Sequence, residues 1–291
     1  AKGNPFFAEQ MLLYWREQDL LLWGDQGLTL KTQKQSPFTE RFFSVSPDLW
    51  SLLIARLDSL PVAVKQVVQI AAVLGYEFDA ALLRIVLLQE KLSPDHITLA
   101  EKVGIWQRRD TVSYRFHHAL LCDTAYGMQS RSQLKQLHHR AAKAIEELYQ
   151  HHLQPYYARL VHHYEKAEVV EPQQRYAKLA GQYAASVFLN QEALHYFNRA
   201  KQLTANDDFT EQYELSVVSE ELHKWLGNRT ERETEIQIQL HLARTTGNQR
   251  WLLEALLRHA DLHRTLGDYD EALTTCFAAA DLATALDDAH H

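Results

Sequence analysis

The hydrophobic pattern of the chain changes near residue 119. Residues 112–116 alternate apolar and polar positions, which predicts a half-buried strand. From Ala119 onward the apolar residues recur at helical spacing, and a second helix is predicted to begin near Ser130. We therefore expect a joint here, between a small mixed α/β domain upstream and an all-helical array downstream.

Capping side chains and prolines mark the helix starts upstream of this joint. Asn4-Pro5 predicts a helix that runs to about Gln18, followed by short β segments over residues 20–30 and 41–45. Further elements are predicted as helices over residues 48–57, 62–74, 80–88 and 95–103, and as two β runs within residues 105–116. Three helices followed by a β-hairpin is the order of a winged-helix domain, which we place at residues 47–129, after a first segment of residues 1–46.

Downstream of the joint the sequence favours uninterrupted helices. No proline follows Pro172, and glycines recur every twenty residues at Gly227, Gly247 and Gly267. Gln191-Glu192-Ala193-Leu194 is repeated at a fixed offset by Glu271-Ala272-Leu273, which indicates an array of helical pairs. Such an array over residues 130–291 leaves a concave face suited to binding other proteins.

Composition excludes several classes of protein. The chain has 291 residues, 46% of them apolar, and a net charge of −7, which is typical of a globular protein and argues against a surface built to follow nucleic-acid phosphates. No apolar run approaches the roughly 18 residues of a membrane span. Cys122 and Cys276 match no zinc or redox spacing, and both are expected on apolar helix faces.

Candidate chemistry is sparse in this sequence. No glycine-rich phosphate-binding loop ending in lysine occurs, and no Gly-x-Ser-x-Gly motif presents a serine nucleophile. Ser113 near His117 and Asp110, and Cys122 near His118, are interpreted as coincidences in a chain with sixteen histidines. His259 and His263 have the spacing of metal ligands but no neighbouring cysteine or carboxylate to complete a site, so no metal is predicted.

Four ordered motifs resemble the region that follows the ATPase core in STAND-class signalling NTPases. They are Gly3-Asn4-Pro5-Phe6-Phe7, residues 53–61 (LIARLDSLP), residues 71–78 (AAVLGYEF) and residues 114–120 (YRFHHAL). More narrowly, the motifs are similar to the bacterial subgroup fused to class III adenylyl or guanylyl cyclase or protein kinase domains. Leu137-His138, His163-Tyr164 and Ala180-Gly181 continue the pattern into a TPR-like arm.

The resemblance implies a nucleotide-binding core upstream of residue 1, with ATP or ADP as its cofactor and none bound by this part alone. In that family Pro5 would lie against the adenine, and His118 would lie near the nucleotide phosphates. Ala119 stands where those proteins carry aspartate. The implied fold is mainly α: a winged-helix domain followed by a TPR-like α-α superhelix.

The sequence thus predicts a non-catalytic, cytoplasmic regulatory arm of a STAND-type ATPase, which controls a cyclase or kinase output. Its partners would be the upstream ATPase domain in cis and an effector protein on the concave face of the repeats, with no membrane. The alternative is a winged-helix DNA-binding regulator with a TPR-like sensor arm. The helix over residues 95–103 argues against this alternative, because Asp95 and Glu101 outnumber its one lysine. His290 and His291 are expected to be tag residues.

Overall fold

A computed structural model describes residues 21–24, 27–30 and 49–288, together with the helical residue Leu12. The rest of the predicted first helix (to Gln18), the predicted β segment of residues 41–45 and the final residues His290 and His291 lie outside the described residues. The chain divides into two compact units, residues 1–150 and 151–291.

The first unit combines helices with two small antiparallel sheets. Strands β1 (Leu21–Gly24) and β2 (Gly27–Leu30) form a hairpin. The remaining elements, in chain order, are α1 (Leu49–Asp58), α2 (Val62–Leu74), β3 (Glu77–Asp79), α3 (Ala80–Gln89), α4 (Asp95–Lys102), β4 (Trp106–Arg108), β5 (Ser113–Phe116), α5 (Ala119–Gly127) and α6 (Arg131–Leu148). The helices predicted from residue 48 onward and the β4–β5 hairpin are confirmed within one or two residues. Strand β3, which was not predicted, pairs with the other side of β5.

Two features hold this unit together. Helix α2 is the most deeply buried, because eight of its side chains are apolar and covered, and it packs against α3, α4, α5 and α6. Four aromatic rings from the three strands form a second cluster, in which the centroid of Phe78 lies 5.2 Å from that of Trp106 and 5.7 Å from that of Phe116. The indole Nε1 of Trp106 donates a hydrogen bond to the Ile97 carbonyl at 3.2 Å, which ties the sheet to α4.

The helix predicted to open the downstream array belongs to the first unit by its contacts. Helix α6 packs on α2 and α3, and the Tyr149 hydroxyl that follows it donates to the Asp79 carboxylate at 3.0 Å. Its start is the predicted one, since the Ser130 side chain accepts from the Gln133 amide in a capping box. The winged-helix identity of residues 47–129 and the predicted domain boundaries stay predictions.

The second unit is a series of helices joined by short turns. Its elements are a 3₁₀ turn (Gln154–Tyr156), α7 (Tyr157–Ala167), α8 (Val170–Ser186), α9 (Asn190–Leu203), α10 (Phe209–Leu226), α11 (Arg229–Thr246), α12 (Gln249–Leu266) and α13 (Tyr269–Asp288). Gly227, Gly247 and Gly267 end α10, α11 and α12 at positive φ angles of 75°, 67° and 83°. The twenty-residue glycine period therefore marks helix ends, as predicted, because glycine adopts the left-handed conformation without strain.

These helices are organised in pairs. The most extensive packing joins α8 to α9, α10 to α11 and α12 to α13. The repeated small residues Ala193 and Ala272 are buried where paired helices approach, whereas the corresponding position between them is Arg232, which is also buried. The predicted mainly α fold with TPR-like helical pairs is confirmed. None of the helices in the described part of the chain combines the length and the apolar character that crossing a membrane requires.

Candidate functional site

A groove lies between α10 and α12 in the second unit. Both helices are the first members of their pairs, and α11 contributes one side chain to the floor between them. The cavity encloses about 480 Å³ and is open to solvent. Its lining comprises Val217, Glu220, Glu221, Lys224 and Trp225 of α10, Arg232 of α11, and Glu254, Leu257, Arg258 and Asp261 of α12.

The floor of the groove is a buried ionic network centred on Arg232. The guanidinium of Arg232 is only 6% exposed, and its Nε donates to the Glu220 carboxylate at 2.6 Å while an Nη donates to Asp261 at 2.9 Å. Glu220 is 5% exposed and also faces Arg258 at 3.7 Å. Because charges buried this deeply are costly unless they are paired, each member fixes the position of the others.

Asp261 joins this network to the groove edge. Its carboxylate accepts hydrogen bonds from Lys224 at 2.8 Å and from Arg264 at 2.6 Å. The hydrogen bonds from Lys224, Arg264 and Arg232 hold the pKa of Asp261 well below its ordinary value, although partial burial acts in the opposite direction. Asp261 is therefore ionised at neutral pH, and it links three helices electrostatically.

A stacked aromatic pair closes one end of the space between α10 and α12. The rings of Tyr213 and Trp251 are parallel within 6°, with centroids 4.4 Å apart. The Tyr213 hydroxyl donates to the Trp251 carbonyl at 3.1 Å, and burial raises the pKa of Tyr213 to about 12. These two residues fill the core between the two helices.

Trp225, in contrast, is not part of this core. Its side chain is 74% exposed at the rim of the groove, and Leu257 on the opposite helix is 52% exposed. Glu221 lies one helical turn before Trp225 on α10, is exposed, and has no ion-pair partner among the described residues. The rim therefore presents the Trp225 indole, the Leu257 side chain and the Glu221 carboxylate above a floor whose charges are paired with each other.

Of the two residues predicted to contact a nucleotide, the structure describes only His118. Pro5 lies outside the described residues. His118 is half-buried at the N-cap of α5, with an extended backbone (φ −142°, ψ 139°), and its carbonyl accepts from the Leu121 amide at 3.1 Å. The expected approach of Pro5 and His118 to one nucleotide stays a prediction.

The two coincidental nucleophile pairs have structural roles. The Ser113 hydroxyl donates to the Asp110 carboxylate at 2.8 Å, and the same carboxylate accepts from the amides of Val112 and Ser113, which closes the β4–β5 turn. Burial raises the pKa of the Cys122 thiol to about 12, so it is protonated at neutral pH. Cys122 is buried, whereas Cys276 is exposed.

The arginines of the β4–β5 hairpin are paired with carboxylates. Arg109 pairs with Glu77, Arg115 faces the same carboxylate at 3.7 Å, and Arg108 faces Glu101 at 3.9 Å. A guanidinium that is already paired with a carboxylate is a poor contact for a DNA phosphate. This arrangement weakens the case for the DNA-binding alternative.

No family model matches the chain, and no curated protein matches it. Among solved structures, one from Pyrococcus horikoshii is described as a signal transduction ATPase with numerous domains (STAND) that has a tetratricopeptide repeat sensor. It is 12% identical over 89% of this chain and 48% of its own, with a TM-score of 0.37, so this chain spans about half of its length. MamA is 14% identical over 54% of this chain and 95% of its own, with a TM-score of 0.33. BtubC from P. vanneervenii is 12% identical over 78% and 93% of the two chains, with a TM-score of 0.28.

Proposed function

We propose that this chain is a non-catalytic, protein-binding regulatory arm of a STAND-type signalling ATPase. The sequence motifs before residue 121 support the STAND assignment, and the helical pairs of the second unit support the interaction role. In this proposal the α10–α12 groove binds a segment of an effector protein, and the first unit connects that event to an upstream ATPase core. ATP or ADP, together with Pro5 and His118, belongs to that core rather than to this arm.

The observation that carries the proposal is the composition of the groove. An exposed indole and an exposed leucine face each other across a floor whose arginines and lysine are already paired with carboxylates. Apolar side chains that remain exposed around a concave floor of paired charges are typical of a surface that is covered on binding.

The rim also indicates the chemistry of the bound segment. Glu221 and Trp225 are one turn apart on α10, so a carboxylate and an indole face lie side by side. A carboxylate beside an indole binds a guanidinium or an ammonium through an ion pair and a cation–π contact. Leu257 adds an apolar contact on the opposite side. The expected partner segment carries an arginine or lysine close to an aliphatic or aromatic residue.

A peptide selection tests this function. Random dodecapeptides are selected against the chain, and the best binders are titrated by calorimetry into the wild-type chain and into Trp225→Ala and Glu221→Gln. We expect selected peptides to combine a basic and an apolar residue, and to bind Trp225→Ala at least tenfold more weakly. The matched control is Tyr269→Ala, which removes a 65% exposed aromatic side chain outside the groove and should bind normally. Peptides that bind all variants equally would contradict the proposal.

The DNA-binding alternative makes the opposite prediction for a gel shift. A winged helix that reads DNA binds duplexes strongly at about 50 mM salt and loses affinity steeply by about 200 mM. Because the hairpin arginines are paired and the chain is acidic, we expect no shift of a random duplex at either salt concentration. A salt-sensitive shift that is abolished in Arg108→Ala would favour the alternative.

A further inference from the structure

The outer side of helix α13 carries a stripe of exposed apolar side chains. Leu273 is 57% exposed, and Phe277, one helical turn later, is 69% exposed. Cys276 and Ala280 lie on the same side of the helix and are exposed as well. We call these four residues the α13 stripe. A different side of α13 packs against α12, so the helix is apolar on two sides, and in the described part of the chain only one of them is packed.

The equivalent side of α11 shows what happens to such a stripe when a helix covers it. A shift of forty residues, the distance from Gly227 to Gly267, aligns Ile236 with Cys276. The same shift aligns Leu240 with Ala280. On α11, the positions of Ile236 and Leu240 are buried, in a cluster with side chains of the following helix α12. The α13 stripe therefore lies where the preceding helical pair receives a further helix.

Side-chain size indicates the shape of a helix that fits the stripe. In the contact between α11 and α12, two large side chains of α11 pack with the small Ala255. On α13 the two aligned positions, Cys276 and Ala280, are small instead. Small side chains leave room for leucine-sized residues of a helix that packs on them. A fitting helix therefore presents large apolar residues at helical spacing on one face, which makes it amphipathic.

The charge of α13 restricts the partner further. Residues 269–286 contain Asp270, Glu271 and Asp281 but no lysine, arginine or histidine, so their formal charge is −3. Each of the helices α7–α12 contains at least one lysine or arginine. Asp270 and Asp281 are exposed, and Asp281 lies one helical turn after Phe277, at the edge of the stripe. Carboxylates in this position favour lysine or arginine on the helix that covers the stripe.

We propose that the α13 stripe binds a basic amphipathic helix of a partner protein. The large apolar residues of that helix cover Cys276 and Ala280, and its lysine or arginine side chains pair with Asp270 and Asp281. A second copy of this chain is a poorer occupant, because packing α13 against α13 brings two helices of like charge together. The stripe shares no residue with the α10–α12 groove, so this inference does not depend on the proposed function.

The thiol of Cys276 reports occupancy of the stripe without any substitution. The chain has two cysteines, and burial raises the pKa of the Cys122 thiol to about 12, so alkylation by iodoacetamide at neutral pH reports Cys276. The probe is a synthetic helical peptide of about 18 residues, with leucine on one face and lysine elsewhere. Its matched control carries glutamate in place of every lysine. We expect the lysine peptide to slow alkylation at least tenfold and the glutamate peptide to leave the rate unchanged.

Variants separate the stripe from a general attraction between a basic peptide and an acidic chain. Phe277→Ser keeps every charge but removes the largest side chain of the stripe, so the lysine peptide should bind at least tenfold more weakly. Asp281→Asn should weaken binding at least twofold. The matched control Phe188→Ser removes an exposed phenylalanine outside α13 and should bind normally. Trp225→Ala, which alters the α10–α12 groove, should also protect Cys276 as the wild type does.

Three results would overturn the proposal. The first is that neither peptide slows alkylation of Cys276, or that both slow it equally. The second is equal protection in the wild type and Phe277→Ser, or loss of protection in Trp225→Ala, which would place the peptide in the groove. The third is a chain that dimerises in sedimentation velocity while Cys276 becomes protected as the chain concentration rises, which would assign the stripe to a second copy.

Discussion

At the scale of single residues, the turn between α8 and α9 differs from the later turns of the array. The turns after α10, α11 and α12 place glycine at positive φ, whereas this turn places Phe188 there, at φ 62°. The Phe188 side chain is 86% exposed, so burial does not offset the strain of a left-handed backbone, which costs roughly 1–2 kcal/mol for most residues. Strain of this kind is commonly retained for function.

Replacement of Phe188 by asparagine should therefore stabilise the second unit. Asparagine tolerates the left-handed conformation, so we expect Phe188→Asn to raise the free energy of unfolding by about 0.5–1 kcal/mol. Urea denaturation followed by circular dichroism measures the change. The control Val187→Asn alters the preceding exposed residue, which has φ −107°, and should bring no gain. Equal or lower stability of Phe188→Asn would show that its backbone is not strained.

Gly181 illustrates the opposite case, where glycine is required by packing. It lies inside α8, and a Cβ built there would stand 2.8 Å from the ring of Phe197 on α9, which is 2% exposed. We expect Gly181→Ala to destabilise the chain by about 1–2 kcal/mol, although alanine favours the helix by about 1 kcal/mol. Gly127→Ala, which meets no atom within 4 Å, should show only the helix gain. Urea midpoints of the two variants that move in the same direction would contradict this account.

At the scale of elements, the junction of α10, α11 and α12 depends on a buried charge rather than on apolar packing. Arg232 occupies the position that corresponds to Ala193 and Ala272 in the other pairs. Its partners Glu220 and Asp261 come from the helices before and after it. The sequence shows the departure from the repeat, but it does not show which carboxylates meet the arginine, because these lie 12 and 29 residues away.

Removal of Arg232 should loosen this junction. Arg232→Ala leaves the buried Glu220 with only the more distant Arg258, and we expect a loss of about 3 kcal/mol in the free energy of unfolding. The exposed pair of Arg250 and Glu254 provides the control, since Arg250 is 85% exposed and Arg250→Ala should change stability by less than about 0.5 kcal/mol. Equal denaturation midpoints for the two variants would show that the buried network contributes little.

The same junction should make the stability of the chain depend on pH in the acidic range. Hydrogen bonds hold the pKa of Asp261 below its unfolded value, so its contribution is fully present above about pH 4 and is lost as the pH falls further. We expect thermal unfolding temperatures of the wild type to fall between pH 4 and pH 2.5. They should fall less in Asp261→Asn, because the asparagine does not take up this proton. If the unfolding temperatures of the wild type and Asp261→Asn fall equally over this pH range, Asp261 is excluded as a source of the pH dependence.

At the scale of the whole molecule, local signals predicted the fold better than the site. Helix starts such as Asp79 and Ser130, and ends such as Gly227, depend on side chains next to them in sequence, and the structure has them where they were predicted. The strand β3 was missed because three residues are too few for a periodic pattern. The exposed position of Trp225 could not be predicted from the sequence, because it depends on how far α10 and α12 stand apart, which no local pattern reports.

Hydrogen exchange of the chain with and without a selected peptide tests the central claim most directly, since it reports where a partner binds without any substitution. The account predicts added protection in α10 and α12, around residues 217–225 and 254–261, and unchanged exchange in residues 49–128. Protection confined to residues 49–128, or protection absent from both α10 and α12, would contradict the assignment of this groove as the surface that binds a partner protein.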